Sequence, residues 1–325
     1  MADLSATDIG RRVSVRRRDP TVTSGPSLRD TVGTLEGIDD DHLRIRVRDG
    51  TVVTLDRGQV VATRRVEPAV ARLRRAADVD TDTLERLTAT GWPALETAPL
   101  GDWTLRAAGG FTGRANSVLP LGDPACSLDD ACAAVVQWYG DRDLAPRFQV
   151  PLPLRADLDD ALAARGWTAF DPVRVLVADL EAIRMSAERS ADAPPPVVTN
   201  QPDDRWMAAY HYRGQEQPPP AARRVLAGGA QPVFVTLADD DGALAVARGA
   251  IDDRWLGVTA VEVAPRARRR GLGLAVMLDL VDDGRRRGAR FAYLQVADEN
   301  HAARALYDDL GFTEHHRYHY RRAPQ

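Results

Sequence analysis

The residues best suited to chemistry lie late in the chain, over 261–273, which read V-E-V-A-P-R-A-R-R-R-G-L-G. A run rich in Val and Trp from Trp255 predicts a strand, and Pro265 stops it. The arginines Arg266, Arg268, Arg269 and Arg270 follow. Gly271 and Gly273 then open an amphipathic helix with Leu274, Met277, Leu278 and Val281 on one face. Strand, glycine-rich turn and helix start can form a pyrophosphate cradle. Glycine lets the backbone come close, the helix start offers unpaired N–H groups and a positive dipole end, and arginines add charge-assisted bonds. A dinucleotide-binding fold needs G-x-G-x-x-G after the strand and an acidic residue about twenty positions on. Here the glycines are too few, arginines precede them, and the chain runs on into antiparallel strands.

Two other groups of reactive side chains carry less. The set His315-His316-x-x-His319 suggests a metal, but strand alternation puts His315 and His319 on one face and His316 on the other. No acidic or thiol partner is near them in sequence, so ordinary polar strand residues and no metal are expected. Cys126 and Cys132 read as isolated buried thiols in a helical region.

The scaffold for these residues follows from periodicity. Residues 1–67 alternate in short runs, R-V-S-V-R, L-R-I-R-V-R from Leu43 and T-V-V-T-L from Thr51, with Asp49-Gly50 as a hairpin and Gly33, Gly37 and Gly58 as punctuation. They predict a small five-stranded, SH3-like β-barrel with a solvated arginine face. A helix is expected over 67–87 through Val70, Leu73, Leu84 and Leu87. The second unit predicts strands at Trp103 and over 116–121, a helix over 128–139, a strand from Arg147, a helix through Leu158 and Leu162, a strand over 173–180, and the stiff linker A-D-A-P-P-P. The third, from Val197, predicts a helix capped by Asp203 or Asp204 through Trp206, Tyr210 and Tyr212, then a proline-rich loop and a short helix to Gly228. A hairpin of 232–237 and 244–251 comes next, then the cradle, a strand over 291–296, a helix over 302–310 and a last strand over 315–322.

The chain echoes itself. Gln295-Val296 is followed by a helix ending in Leu310-Gly311-Phe312-Thr313, and Gln149-Val150 by one ending in Arg165-Gly166-Trp167-Thr168. The second unit therefore reads as a degenerate copy of the third. The third, V-x-V-x-P-x-x-R-R-R-G-L-G and then Y-L-Q-V-x-x-x-N-x-x-A-x-x-L-Y-x-x-L-G-F, resembles the GNAT superfamily of acetyl-CoA-dependent N-acetyltransferases over about residues 197–322. R-A-N-S-V-x-P-L from Arg114 resembles the degenerate first half of tandem GNAT proteins, and the whole is similar to actinobacterial acetyltransferases with a small barrel ahead of two GNAT-like halves. The implied fold class is α/β (α+β): tandem GNAT-like mixed sheets flanked by helices, after a small SH3-like β-barrel, with domains over 1–67, 68–190 and 197–325.

The resemblance also implies roles. Val261, Glu262 and Val263 hold the acetyl carbonyl and pantetheine through backbone bonds, and Arg268, Arg269, Arg270, Gly271, Leu272, Gly273 and Leu274 bind the pyrophosphate. Asn300 bonds the pantetheine arm, and Tyr307 protonates the departing thiolate. Asn300 and Tyr307 are two helical turns apart, so both can face one cleft. A thiol of pKa about 8.5 leaves better when a hydroxyl of pKa about 10 hydrogen-bonds the sulfur anion. Deprotonating a lysine-like amine at pH 7 costs roughly 4–5 kcal/mol, an α-amine only about 1. The candidate bases are Glu262 first, then Glu216 and His301; Gly257 stands about where the family often carries a glutamate. Tyr210-His211-Tyr212 and the loop over 215–220 are candidates for substrate contact. The expected function is acetyl-CoA-dependent transfer to a primary amine of a small molecule or protein, by a monomer or homodimer. The alternative is an acyl-CoA-sensing or partner-binding regulatory protein with a weak or inactive GNAT domain.

Composition sets the outer bounds. The 325 residues, 44% hydrophobic and 28% charged, are ordinary for a globular protein of two or three domains. All 43 basic residues are arginine, which reads as coding bias, and a net charge of -4 gives no general case for nucleic acid or an acidic membrane. The start, MADLSATDIG, has no signal pattern, and no apolar run reaches membrane-spanning length; a cytoplasmic protein with no membrane partner is expected.

Overall fold

The computed structural model describes residues 4–5, 8–18, 28–47, 51–65, 75–211 and 218–324, and the chain divides into compact units Met1–Leu73 and Arg74–Gln325. In the first, β1 (Arg12–Arg18), β2 (Leu28–Ile38), β3 (His42–Arg46), β4 (Val52–Asp56) and β5 (Val60–Arg65) form a five-stranded antiparallel sheet in the order β4-β3-β2-β1-β5. Period-two patterning sends Val13, Val15, Leu35, Leu43, Ile45 and Leu55 to one face, where Leu4 joins them. Arg44 and Arg46 alternate outward, and Glu36 holds Arg46 as Asp30 holds Arg16. The turn at Asp49-Gly50 lies outside the described residues, though β3 and β4 pair from Arg46↔Val52 to His42↔Asp56. Asp8, 1% exposed, accepts from two nitrogens of Arg65 at 2.6 and 3.1 Å, and that pairing holds its carboxyl down at about 2.

The second unit opens with α1 (Thr81–Gly91), later than expected, because Asp80 caps it by accepting the Thr83 N–H at 2.8 Å. Residues 76–78 before it make only a 3-10 turn, while Val70 and Leu73 lie outside the described residues. Then come β6 (Glu96–Leu100), β7 (Trp103–Ala107), α2 (Leu128–Gly140), β8 (Arg147–Leu152), α3 (Ala156–Ala164), β9 (Thr168–Asp179) and α4 (Leu180–Ser186). Sequence reasoning missed α4. The strand expected over 116–121 is reduced to isolated bridges at Val118 and Leu119. Pro120 has no N–H for a ladder, and the Asn116 amide ties the preceding loop through Ala108, Gly110, Phe111 and Thr112. Cys126 is exposed in a loop and Cys132 is half-buried on α2, so neither is the buried thiol expected; both are free.

The rest comprises β10 (Val197–Thr199), α5 (Asp204–Ala209), α6 (Ala221–Ala227), β11 (Pro232–Asp239), β12 (Gly242–Asp252), β13 (Trp255–Val263), α7 (Leu272–Arg286), β14 (Phe291–Ala297), α8 (His301–Asp309) and β15 (Thr313–Arg322). Helix α5 stops before Tyr210, and Tyr212 lies outside the described residues. One eight-stranded sheet, β10-β11-β12-β13-β14-β9-β15-β8, serves both halves, and in it β13 and β14 alone run parallel among the described strands.

The echoing halves exchange strands. The Gln-Val strand of each pairs with the final strand of the other, Gln295↔Val175 between β14 and β9 and Gln149↔Tyr320 between β8 and β15, while β9 and β15 pair together. On one face α4, α7 and α8 cover Leu256, Val258, Ala292, Leu294 and Val296. Each such fully buried Val or Leu contributes about 1.5–3 kcal/mol relative to exposure. On the other face of β12 and β13, Trp92, Phe111, Trp206, Tyr210, Val225 and Leu226 form a second core. Among the described residues no helix is long and apolar enough to cross a membrane.

Candidate active site

At the centre of the second unit β13 and β14 part company. They pair from Trp255↔Phe291 only as far as Val258↔Leu294. The cause is a bulge: the register of β13 against β12 shifts between Val246 and Arg248, and Ala260 takes a φ of 51°. Thr259 and Ala260 consequently both face the Trp92–Trp206 core, after which Val261 and Val263 pack toward α7. Arg248, fully buried, braces the bulge. It donates to the carbonyls of Leu226 (2.6 Å), Gly91 (3.0 Å) and Gly228 (2.6 Å) and to the Thr259 hydroxyl (3.1 Å), and burial brings its pKa down to about 10. Past the parting, the β14-facing backbone of 259–263 has no strand partner among the described residues.

The cradle stands at the end of β13. Arg269 (φ 60°) and Gly271 (φ 73°) are both left-handed, and Gly271 is the N-cap of α7, which begins at Leu272. Only glycine adopts that conformation without cost at a helix start. The N–H groups of Arg269, Arg270 and Gly271 donate to no backbone carbonyl among the described residues, and the first turn of α7 adds further free donors. Arg268, Arg269 and Arg270 are exposed around them, Arg268 reaching the Val263 carbonyl at 3.3 Å. A Cβ on Gly273 would lie 3.4 Å from Leu306 and 3.5 Å from Val263, so cradle, α8 and bulged strand converge.

Asn300 is the N-cap of α8, its side-chain oxygen accepting the Ala303 N–H at 3.1 Å, which leaves its amide nitrogen unused by the cap. Tyr307 is 8% exposed within the α7–α8 core, its ring 5.9 Å from that of Phe312. Burial pushes its hydroxyl up to about 12, and the hydroxyl has no hydrogen-bond partner among the described residues.

Glu262 turns to the face opposite α7. Its carboxylate accepts the His211 backbone N–H at 2.7 Å and lies 2.9 Å from His211 Nδ1; the two side chains are 23% and 35% exposed. A carboxylate only accepts, so Nδ1 carries the proton that faces it and Nε2 is turned away from Glu262. The absence of a carboxylate at position 257 has a steric cause: a Cβ on Gly257 would lie 2.3 Å from the Tyr293 hydroxyl, which donates to the Leu87 carbonyl at 3.0 Å. Glu216 lies outside the described residues, and His301 is exposed on the first turn of α8. His211 was legible as a substrate-contact residue, but its tie to a carboxylate 51 positions away was not.

The C-terminal histidines are structural, and two of them differ from expectation. A register shift between Glu314 and His316 breaks strand alternation, so His315 and His316 meet at 2.8 Å. His316 reaches buried Glu85 at 2.7 Å and His319 reaches Asp159 at 2.5 Å, acidic partners remote in sequence. No group among the described residues could hold a metal ion.

A bulged strand parting from its parallel neighbour, with a glycine-opened helix at its end, defines an acetyltransferase of the GNAT class. Residues 79–321 match the family described as "Probable histone acetyltransferase Rv0428c C-terminal", and residues 7–64 match the "Rv0428c N-terminal Sm-like domain". The chain belongs to this Rv0428c family. It is 33% identical to the probable histone acetyltransferase Rv0428c of Mycobacterium tuberculosis (strain ATCC 25618 / H37Rv), over 95% of this chain and 93% of the relative. Its fold is similar to a GCN5-related N-acetyltransferase from Kribbella flavida, with a TM-score of 0.56, 17% identity, and 75% of this chain and 95% of that one covered. A tandem GNAT protein from the clavulanic acid biosynthesis pathway shares it too, with a TM-score of 0.54, 15% identity, and coverage of 75% and 88%.

Proposed function

We propose that the chain is a cytoplasmic enzyme that transfers the acetyl group of acetyl-CoA directly to a primary amine. The observation that carries this is the parting of β13 from β14 beside the left-handed Gly271 turn, which puts unpaired backbone and free N–H donors along one path. Acetyl-CoA supplies the acyl group activated as a thioester. The backbone of Val261, Glu262 and Val263 holds its carbonyl and pantetheine. The N–H groups of Arg269 to Leu274, with the Arg268, Arg269 and Arg270 side chains, hold the pyrophosphate. The free amide nitrogen of Asn300 donates to the pantetheine arm.

On the opposite face His211 takes the amine proton at Nε2 while Glu262 fixes the ring. The new C–N bond forms as the C–S bond breaks, and the sulfur leaves as an anion. A hydroxyl at about 12 surrendering its proton to a thiolate of about 8.5 is uphill by about 5 kcal/mol, so Tyr307 acts chiefly as a hydrogen-bond donor to sulfur.

The Mycobacterium tuberculosis relative is described as a probable histone acetyltransferase, which puts protein lysine amines among the first acceptors to try. The test is thiol release from acetyl-CoA across a panel of amines; transfer to one of them far above hydrolysis is expected. Acyl-CoA sensing is the second reading, favoured by the glycine at position 257. Coenzyme A binding without amine-dependent thiol release decides for it.

A further inference from the structure

On the face of the sheet opposite α7, a cavity of about 810 Å³ opens where β14 runs past its last residue paired to β13. Its floor joins the two halves of the chain. Arg114, from the degenerate half, donates to the Gln295 side-chain oxygen at 2.7 Å and lies 4.8 Å from the centre of the Trp92 ring. No carboxylate lies within ion-pair distance of Arg114 among the described residues. Because a guanidinium only donates, this bond fixes the amide orientation of Gln295. The Gln295 amide nitrogen is then buried with no partner. An orphan donor beside an unneutralised guanidinium is an unfinished site, since buried polar groups are otherwise paired. Tyr318 and Tyr320 complete the floor, and burial raises both phenols, so they remain neutral hydroxyls.

The mouth has the opposite character. Asp171, Asp298 and Glu299 line it; Asp298 is paired with Arg174, and Asp171 also has a partner. A donor-rich floor under an acidic mouth suits a molecule with one compact anionic group and compensating positive charge. It disfavours polyanions, which the mouth repels.

We propose that this cavity is the acceptor pocket, and that Arg114 and Gln295 select amines that carry a carboxylate, as free amino acids do. The proposal rests on the acetyl-transfer reading for the word acceptor, but the pocket's preference can be measured without catalysis. A carboxylate accepts from the Arg114 guanidinium and the Gln295 amide together, giving the orphan nitrogen its partner. The degenerate half, which lacks the cradle, thereby contributes specificity to the half that has it.

The experiment is calorimetric titration of the full chain with L-lysine and β-alanine, with their carboxamides, and with an amidated lysine peptide; coenzyme A is titrated separately. The carboxylates are expected to bind roughly tenfold or more tightly than the amides. Arg114→Gln should erase the difference. Gln295→Glu, which sets a carboxylate beside Arg114, should do so too, with unchanged melting and coenzyme A affinity showing an intact fold. Carboxylate preference without coenzyme A binding supports the pocket and removes the acetyl-transfer reading. Equal binding of acids and amides, tighter binding of the amidated peptide, or coenzyme A binding with no response to the acids overturns the pocket.

Discussion

Glu262 holds His211 at two points, the backbone N–H at 2.7 Å and the ring Nδ1 at 2.9 Å, on the face of a bulged strand opposite α7. The carboxylate thereby sets the ring's tautomer and aim. His211→Ala is expected to lower kcat/KM by about 10²–10⁴-fold while leaving coenzyme A affinity unchanged. Glu262→Gln should cost less, because the imidazole survives with a looser orientation. The check is steady-state kinetics beside calorimetry: kcat/KM should fall far more in His211→Ala than in Glu262→Gln, with coenzyme A affinity unchanged in both. Equal kcat/KM for wild type and His211→Ala would assign the proton to another group.

Tyr307→Phe removes a hydroxyl that has no hydrogen-bond partner among the described residues and keeps the ring against Phe312. Its melting temperature should stay level or rise, since no hydrogen bond is lost. Turnover should fall about tenfold or more as the sulfur loses its donor. With the pKa at about 12 the group stays protonated through neutral and moderately alkaline pH, so an alkaline limb below about pH 11 should be unchanged by the substitution. Its disappearance would show that Tyr307 titrates in the working range.

Arg268 and Arg270 are exposed, so reversing both charges should leave the fold intact. The double variant Arg268→Glu, Arg270→Glu should lose coenzyme A affinity by well over about tenfold at low salt, and the gap should narrow as ionic strength rises. Calorimetry at two salt concentrations checks this; equal affinity would move the pyrophosphate elsewhere.

Asp8 offers a pH test of the first unit. Arg65 holds its carboxyl at about 2, below the ordinary value of about 3.9. A depressed pKa means that the stabilisation is complete above about pH 4 and is lost as pH falls from there toward about 2. Hydrogen exchange at the Val13 and Val15 amides should accelerate over that interval, and Asp8→Asn should flatten the response.

Gly271 was legible because a glycine after a strand and before an amphipathic run has few other uses, and the structure gives it the positive φ that such a start requires. The bulge at Ala260 was not, since alanine carries no signal for a left-handed conformation and Arg248 braces it from another strand. Gly257 read as a missing base; Tyr293, packed over it, turns out to fill the space. The helix and strand periods indicated most elements of both halves, including the Gln149 and Gln295 strands, but not β6 or α4. Period alone says nothing of which strand pairs with which, so the exchange between β8, β9, β14 and β15 was out of reach. His316 failed for a related reason: its partner Glu85 lies 231 residues away.

The exchanged strands impose an order on synthesis. Strand β9 ends at Asp179, but its neighbours β14 and β15 begin only at Phe291 and Thr313. A nascent chain on the ribosome therefore holds one edge of β9 open until β14 emerges and the other until β15 does. The half that holds β8 and β9 cannot close before the half that holds β14 and β15 is translated, and a ribosome stalled ahead of Thr313 exposes an unpaired strand to any neighbour able to add to it.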